Sequence, residues 1–187
     1  MLNFYYGTMG AGKTTELIKT YDIYKRKGLN PVVIKPAIDD REGKQVGWGV
    51  TKSRITSEEI PAYYYTDLQK ELPQLQYDSL MVDEAQFMSE EDVRYIATSV
   101  DKPILAYGLR TDVNGRLFEG AAALLAFADN TKELENLCQF QECTNKAQMH
   151  LRFIDGVLDK SGQSVAIDKG NVHYMSVCRK CWGKTTR

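Results

Sequence analysis

Gly7-Thr8-Met9-Gly10-Ala11-Gly12-Lys13-Thr14 fills every position of the pattern G-x-x-x-x-G-K-[ST]. These residue types at this spacing bind phosphate. Glycines let the backbone curl so that successive N–H groups turn inward on anionic oxygens, and a helix starting at the end of the loop adds partial positive charge. In such a loop Lys13 reaches the β- and γ-phosphates and the Thr14 hydroxyl coordinates Mg²⁺. A second constellation follows later in the chain, where apolar Leu80-Met81-Val82 runs into Asp83 and Glu84. Alone, two acids at a strand end read as solvated charge. Beside a complete phosphate loop they divide the labour: Asp83 holds Mg²⁺ through water, and Glu84 accepts a proton from an attacking hydroxyl or water.

All four cysteines lie late in the chain, as the pairs Cys138/Cys143 and Cys178/Cys181. Both spacings fall within the two-to-four intervening residues of structural zinc pairs. In a reducing compartment disulfides are disfavoured, so paired cysteines there point to metal. Four thiolates with none left over predict a closed, non-catalytic tetrahedral zinc site, able to supply on the order of 10 kcal/mol towards ordering a segment too small for its own core. His150 and His173 are possible substitute ligands, though lone histidines are more often surface or core residues.

Something must position these residues. Short β-prone runs at 2–6, 31–35, 80–82 and 104–107 alternate with helical patterns through the first ~130 residues, which predicts stacked βαβ units and a parallel sheet. A first helix is expected over 13–27, with Leu17, Tyr21 and Tyr24 on one face and Gly28 as the stop. A second is expected to start after Ser89, its cap, with Val93, Ile96, Ala97 and Val100 as its buried stripe. The glycine- and charge-rich stretch 39–59 has no sustained period and reads as a surface loop with at most a short hairpin. After residue 131 or so the texture changes. Strand-like runs near 151–154 and 165–167, joined by Asp159-Lys160-Ser161-Gly162, suggest a hairpin knuckle between the cysteine pairs. The division expected is an ATP-binding α/β domain over 1–134 and a zinc-binding domain over 135–187.

Composition bounds the rest. With 187 residues, 43% hydrophobic and 26% charged, the chain is no disordered polyelectrolyte. Lys plus Arg is 24 and Asp plus Glu is 25, so no global field draws it to nucleic acid. No apolar run approaches the ~18 residues of a membrane span, and the N-terminus lacks the marks of an export signal. The expectation is a soluble, cytoplasmic protein with no nucleic-acid or membrane partner. Two alternatives are a RecA- or helicase-like ATPase with a nucleic-acid-binding zinc knuckle, and a zinc-dependent scaffold with a degenerate nucleotide site. The neutral charge opposes the first, and intact Lys13, Thr14, Asp83 and Glu84 oppose the second.

Taken together, the phosphate loop, Asp83-Glu84-Ala85-Gln86-Phe87, Tyr107-Gly108-Leu109-Arg110-Thr111-Asp112, Gly115-Arg116-Leu117-Phe118-Glu119-Gly120 and Tyr174-Met175-Ser176-Val177-Cys178-Arg179 resemble type II thymidine kinases, the zinc-containing class of cytosolic and bacterial enzymes. The resemblance spans Phe4 to Trp182. It implies a P-loop, RecA-like parallel sheet flanked by helices, with a small C-terminal zinc domain carrying a lasso over the nucleoside. It implies transfer of the γ-phosphoryl of ATP to the 5′-hydroxyl of thymidine, with deoxyuridine secondary, giving dTMP for salvage. Glu84 would be the base, and Ala85 and Gln86 would complete the nucleotide-binding set. Phe87, Leu109 and Phe118 would line the thymine pocket, and Arg54 would lie near the phosphates. Tyr174 and the backbone of Val165, Ala166, Ile167, Asp168 and Lys169 would close the lasso. Zn²⁺ and ATP-bound Mg²⁺, a homotetramer or dimer, and inhibition by dTTP are implied as well. The chain differs from the family pattern in its wide Cys138/Cys143 pair, in Val113 for an aromatic residue, in Asp168-Lys169-Gly170 for Ile-Gly-Gly, and in His150, where a small Thr near the base is usual.

Overall fold

The computed structural model describes residues 1–37, 46–164 and 171–186. Its frame is a seven-stranded sheet formed by β1 (Leu2–Tyr6), β2 (Pro31–Pro36), β3 (Gly47–Lys52), β4 (Glu59–Tyr65), β5 (Ser79–Val82), β6 (Ile104–Gly108) and β7 (Asn130–Glu133), in the order β3-β4-β2-β5-β6-β1-β7. The six strands from β4 to β7 run parallel, and β3 lies antiparallel on the outer side of β4.

The side chains of β2 and β5 alternate between two cores. Val32, Ile34, Leu80 and Val82 face one, where Val93 and Ile96 of α3 (Glu90–Ser99) and Leu124 of α4 (Glu119–Phe127) pack. Val33 and Met81 face the other, against Leu17 and Ile18 of α1 (Lys13–Arg26). Helices on both faces leave central strands no wet side, which is why these runs read as continuous apolar stretches. The expected parallel, helix-flanked sheet is therefore present, with all four expected strands in it. A short helix, α2 (Leu68–Glu71), links β4 to β5.

Strands β4 and β7 and helices α2 and α4 have no counterpart in the sequence reading, which allowed at most a short hairpin over 39–59. β3 arises within 39–59 as the first arm of a hairpin whose second arm, β4, continues into the sheet. β7 reads Asn-Thr-Lys-Glu and carries no apolar signal, because its pairing with β1 is made through the backbone at the sheet edge. Helix α4, Glu-Gly-Ala-Ala-Ala-Leu-Leu-Ala-Phe, is apolar nearly all round and lacks the one-sided period that marks a surface helix.

Past β7 a second, three-stranded sheet forms from β8 (Met149–Ile154), β9 (Val157–Leu158) and β10 (Val172–Val177), antiparallel in the order β10-β8-β9, followed by α5 (Arg179–Thr185). The run expected at 151–154 thus pairs with β9 and β10, while the strand expected at 165–167 lies outside the described residues.

Candidate active site

The phosphate loop leaves the carboxyl end of β1 and enters α1 at Lys13. Gly12 caps the helix with φ +79°, a left-handed conformation costly for any residue with a Cβ, and no side chain caps the first-turn amides. First-turn amides of a helix are the usual partners of an anion at its start. Lys13 Nζ donates to the carbonyls of Gly7 at 3.2 Å and Thr8 at 2.9 Å, bracing the loop across its own mouth.

Two strands away, β5 delivers Asp83 to the same edge. One oxygen of this buried carboxylate lies 3.4 Å from Thr14 Oγ1, and the other accepts from Thr51 Oγ1 at 2.5 Å. Burial and the neighbouring Glu84 push the Asp83 pKa up, while the Lys35 ammonium and the Thr51 bond oppose the rise. Glu84 holds φ +51°, unusual for a residue with a side chain and typical of functional positions. Its carboxylate accepts from Gln86 Nε2 at 2.7 Å, and Gln86 Oε1 in turn accepts from the Leu109 amide at 2.9 Å. A Cβ on Gly108 would sit 2.8 Å from that same oxygen, so only glycine lets the chain of bonds run from β6 to Glu84.

One cavity of about 90 Å³ is lined by Lys13, Thr14, Arg54, Asp83, Glu84 and Leu109. Gly10, Gly12 and Met9 also border it, whereas Ala85 and Gln86 are buried behind it. Three residues that sequence reasoning missed belong here. Lys35, 3% exposed, and Thr51 line the cavity, as does Ser53, whose hydroxyl meets Thr15 Oγ1 at 2.8 Å. Lys35 had one usable signal, since it sits near the carboxyl end of an apolar strand as Asp83 follows another. Thr51 and Ser53 had none, because the 39–59 stretch read as a surface loop with at most a short hairpin and not as a sheet strand.

Phe87 and Phe118 meet edge to face at 5.7 Å between ring centres. Phe87 also borders a cavity of about 1030 Å³, whose other walls include Asp67, Lys70, Glu91 and Asp92. The phosphate-loop residues line the smaller cavity, which is therefore where phosphate chemistry belongs. Tyr174 lies on β10 opposite Arg152. Val165, Ala166, Ile167, Asp168 and Lys169 lie outside the described residues.

The C-terminal sheet touches the phosphate loop directly. His150 Nε2 accepts from the Met9 amide at 3.0 Å. Burial lowers the His150 pKa to about 4, with the Lys13 charge acting the same way, so the ring is neutral near pH 7 and free to accept. The Met9 carbonyl accepts from Ser176 Oγ at 2.8 Å and from Asn136 Nδ2 at 3.0 Å.

The sulfur atoms of Cys138, Cys143, Cys178 and Cys181 all lie within 4.8 Å of one another. Cys143 is 3.8 Å from both Cys178 and Cys181, close to the ~3.8 Å edge of a tetrahedron with Zn–S bonds of about 2.3 Å. Cys178 caps α5 and accepts from the Cys181 amide at 3.4 Å, which helps lower its pKa to about 6. The clustering of the four cysteines is compatible with a structural zinc site, and the widely spaced Cys138 lies in the cluster.

A mostly parallel, helix-flanked sheet with a glycine-rich phosphate loop on its first strand and a carboxylate on a neighbouring strand tip defines a P-loop nucleotide-binding protein. The family model described as thymidine kinase matches residues 1–182, and the chain belongs to that family of kinases. Among curated relatives, the thymidine kinase of Shewanella oneidensis is 40% identical over 189 residues, covering 96% of this chain and 94% of the relative. Those of Vibrio parahaemolyticus and Rhodopirellula baltica are 40% and 39% identical, each over 95% of this chain and over 93% and 85% of the relatives. A large terminase structure from a thermophilic bacteriophage covers 71% of this chain and 40% of its own length, at 15% identity and a TM-score of 0.43. That last likeness carries no weight beside the others. No helix among the described residues is long and apolar enough to cross a membrane.

Proposed function

We propose that the enzyme transfers the γ-phosphoryl group of ATP to the 5′-hydroxyl of thymidine, giving dTMP, with deoxyuridine as a secondary substrate. The observation that carries this reading is the convergence of Lys13, Thr14, Asp83 and Glu84 on one cavity. In the mechanism, the amides after Gly10 and the Lys13 ammonium hold the β- and γ-phosphates, Lys13 exchanging its loop carbonyls for phosphate oxygens. Glu84, oriented by Gln86, takes the proton of the 5′-hydroxyl as its oxygen attacks phosphorus. Arg54 stands on the cavity wall where it neutralises developing charge.

Thr14 and Asp83 offer the hard oxygen donors that Mg²⁺ prefers and would hold the ion that travels with ATP, which supplies charge neutralisation at the phosphates. Phe87, Leu109 and Phe118 form the apolar side of the thymine pocket, completed by Tyr174 and residues 165–169. Residues 1–134 act as the nucleotide-binding domain and 135–187 as a domain held by zinc on its four thiolates. The active form is a cytoplasmic homotetramer or dimer inhibited by dTTP.

A coupled assay with ATP–Mg²⁺ across the nucleosides tests the reading. Thymidine should give the highest kcat/KM, with deoxyuridine behind it. Glu84→Gln should bind ATP normally while kcat falls at least ~100-fold, the usual scale for losing a general base. Turnover in Glu84→Gln equal to the parent would remove Glu84 from the mechanism, and ATP hydrolysis indifferent to every nucleoside would remove the kinase reading.

A further inference from the structure

A loop that curls to face its amides inward aligns their dipoles and confines a flexible segment, both unfavourable until an anion arrives. Something must hold it from behind. Met9 is where this loop is held, for both polar groups of its backbone are taken by the C-terminal sheet and its approach, not by the loop itself. His150 and Ser176 are directly opposite each other in the β8–β10 ladder, so one cross-strand pair grips both ends of the residue. They are 3% and 1% exposed. Asn136 adds a second donor to the same carbonyl and lies 3.4 Å from Thr8 Oγ1.

We infer that the His150–Ser176 pair is a positioning element for nucleotide binding, fixing the Met9 peptide so that the phosphate loop is pre-formed. This rests on the phosphate-loop reading above and deepens it. Family resemblance places His150 where a residue near the base is usual; in this chain the Nε2 lone pair is already engaged by the Met9 amide and has none left for a pyrimidine edge. His150 therefore acts on the donor nucleotide, through Met9, and not on the acceptor.

Steady-state kinetics of the full-length, zinc-loaded enzyme, with ATP and thymidine varied separately, test this. His150→Phe keeps a ring of similar size but offers no acceptor to the part-buried Met9 amide. It should raise the ATP KM about tenfold, the scale of one unsatisfied buried donor, and leave the thymidine KM within about twofold. His150→Gln returns an acceptor on a side chain of similar reach and should recover most of that loss. Ser176→Ala, with Asn136 still bonded, should raise the ATP KM by a smaller factor of about three. The inference is overturned if the thymidine KM rises as much as the ATP KM or alone, or if the folded variants keep the parental ATP KM. Should His150→Phe not fold, His150→Gln and Ser176→Ala decide by the same criterion. A parent enzyme that binds no ATP would instead overturn the phosphate-loop reading itself.

Discussion

Glu84 occupies a backbone conformation that its side chain disfavours, and the bonds around it explain why it stays there. Asp83 before it is buried in the sheet, Ala85 after it opens a single helical turn, and Gln86 holds the carboxylate. An isolated residue in the left-handed region costs about 1–2 kcal/mol, which the packed strand tip supplies. Residues whose chemistry is written in a contiguous motif were legible from sequence: the phosphate loop, Asp83 and Glu84. Lys35 and Thr51 were not, because they meet Asp83 only after three separate strands have aligned. His150 carries its own testable signature. Its pKa falls from an ordinary 6.5 to about 4 in the fold, so between those values the unfolded chain takes up a proton that the native protein refuses. Stability is therefore full above pH 6.5 and declines as pH falls through that window, by about 2 kcal/mol at pH 5. Urea unfolding at pH 7 and pH 5 should show this increment in the parent and lack it in His150→Gln. An identical pH dependence in both would contradict the assignment.

Elements differed in legibility for physical reasons. Helix α3 announced itself, with Ser89 accepting from the Asp92 amide at 3.0 Å and Val93 and Ile96 fully buried. Helix α4 has too little polar surface to show a face, and β7 too little apolar surface to show a strand. The end of β6 matters more than its length suggests. Gly108 lets Gln86 reach the Leu109 amide, and through Gln86 the position of Glu84 is tied to the sheet. Gly108→Ala should displace the Gln86 side chain and lower kcat by about 10- to 100-fold, as displacements of about 1 Å do, while ATP binding measured by calorimetry stays near parental. An unchanged kcat would mean that Glu84 is held by other contacts.

For the molecule as a whole, the cysteine cluster, β8 and β10 form one small core with Met149, Leu151 and Val177, and this region is bonded to the phosphate-loop side of the molecule. Trp182 Nε1 donates to the Val113 carbonyl at 3.1 Å, and the His150–Ser176 pair holds Met9. Removing zinc by chelation under reducing conditions, or by Cys178→Ser, should lower the melting temperature and weaken ATP as well as thymidine binding. Metal-free protein with parental ATP affinity would uncouple the two regions. The sequence indicated both the paired cysteines and the phosphate loop but not their connection, since nothing in residues 7–14 names a partner some 140 positions away.

Strand β1, which launches the phosphate loop, lies between β6 and β7. During synthesis β1 thus waits for residues 104–108 and 130–133 before it acquires neighbours, and for His150 and Ser176 before the loop is clamped. Such long-range pairing is slow to form and leaves apolar strands uncovered meanwhile. Nucleotide recognition is consequently a late property of a nascent copy, although its signature is translated well before the residues that clamp it.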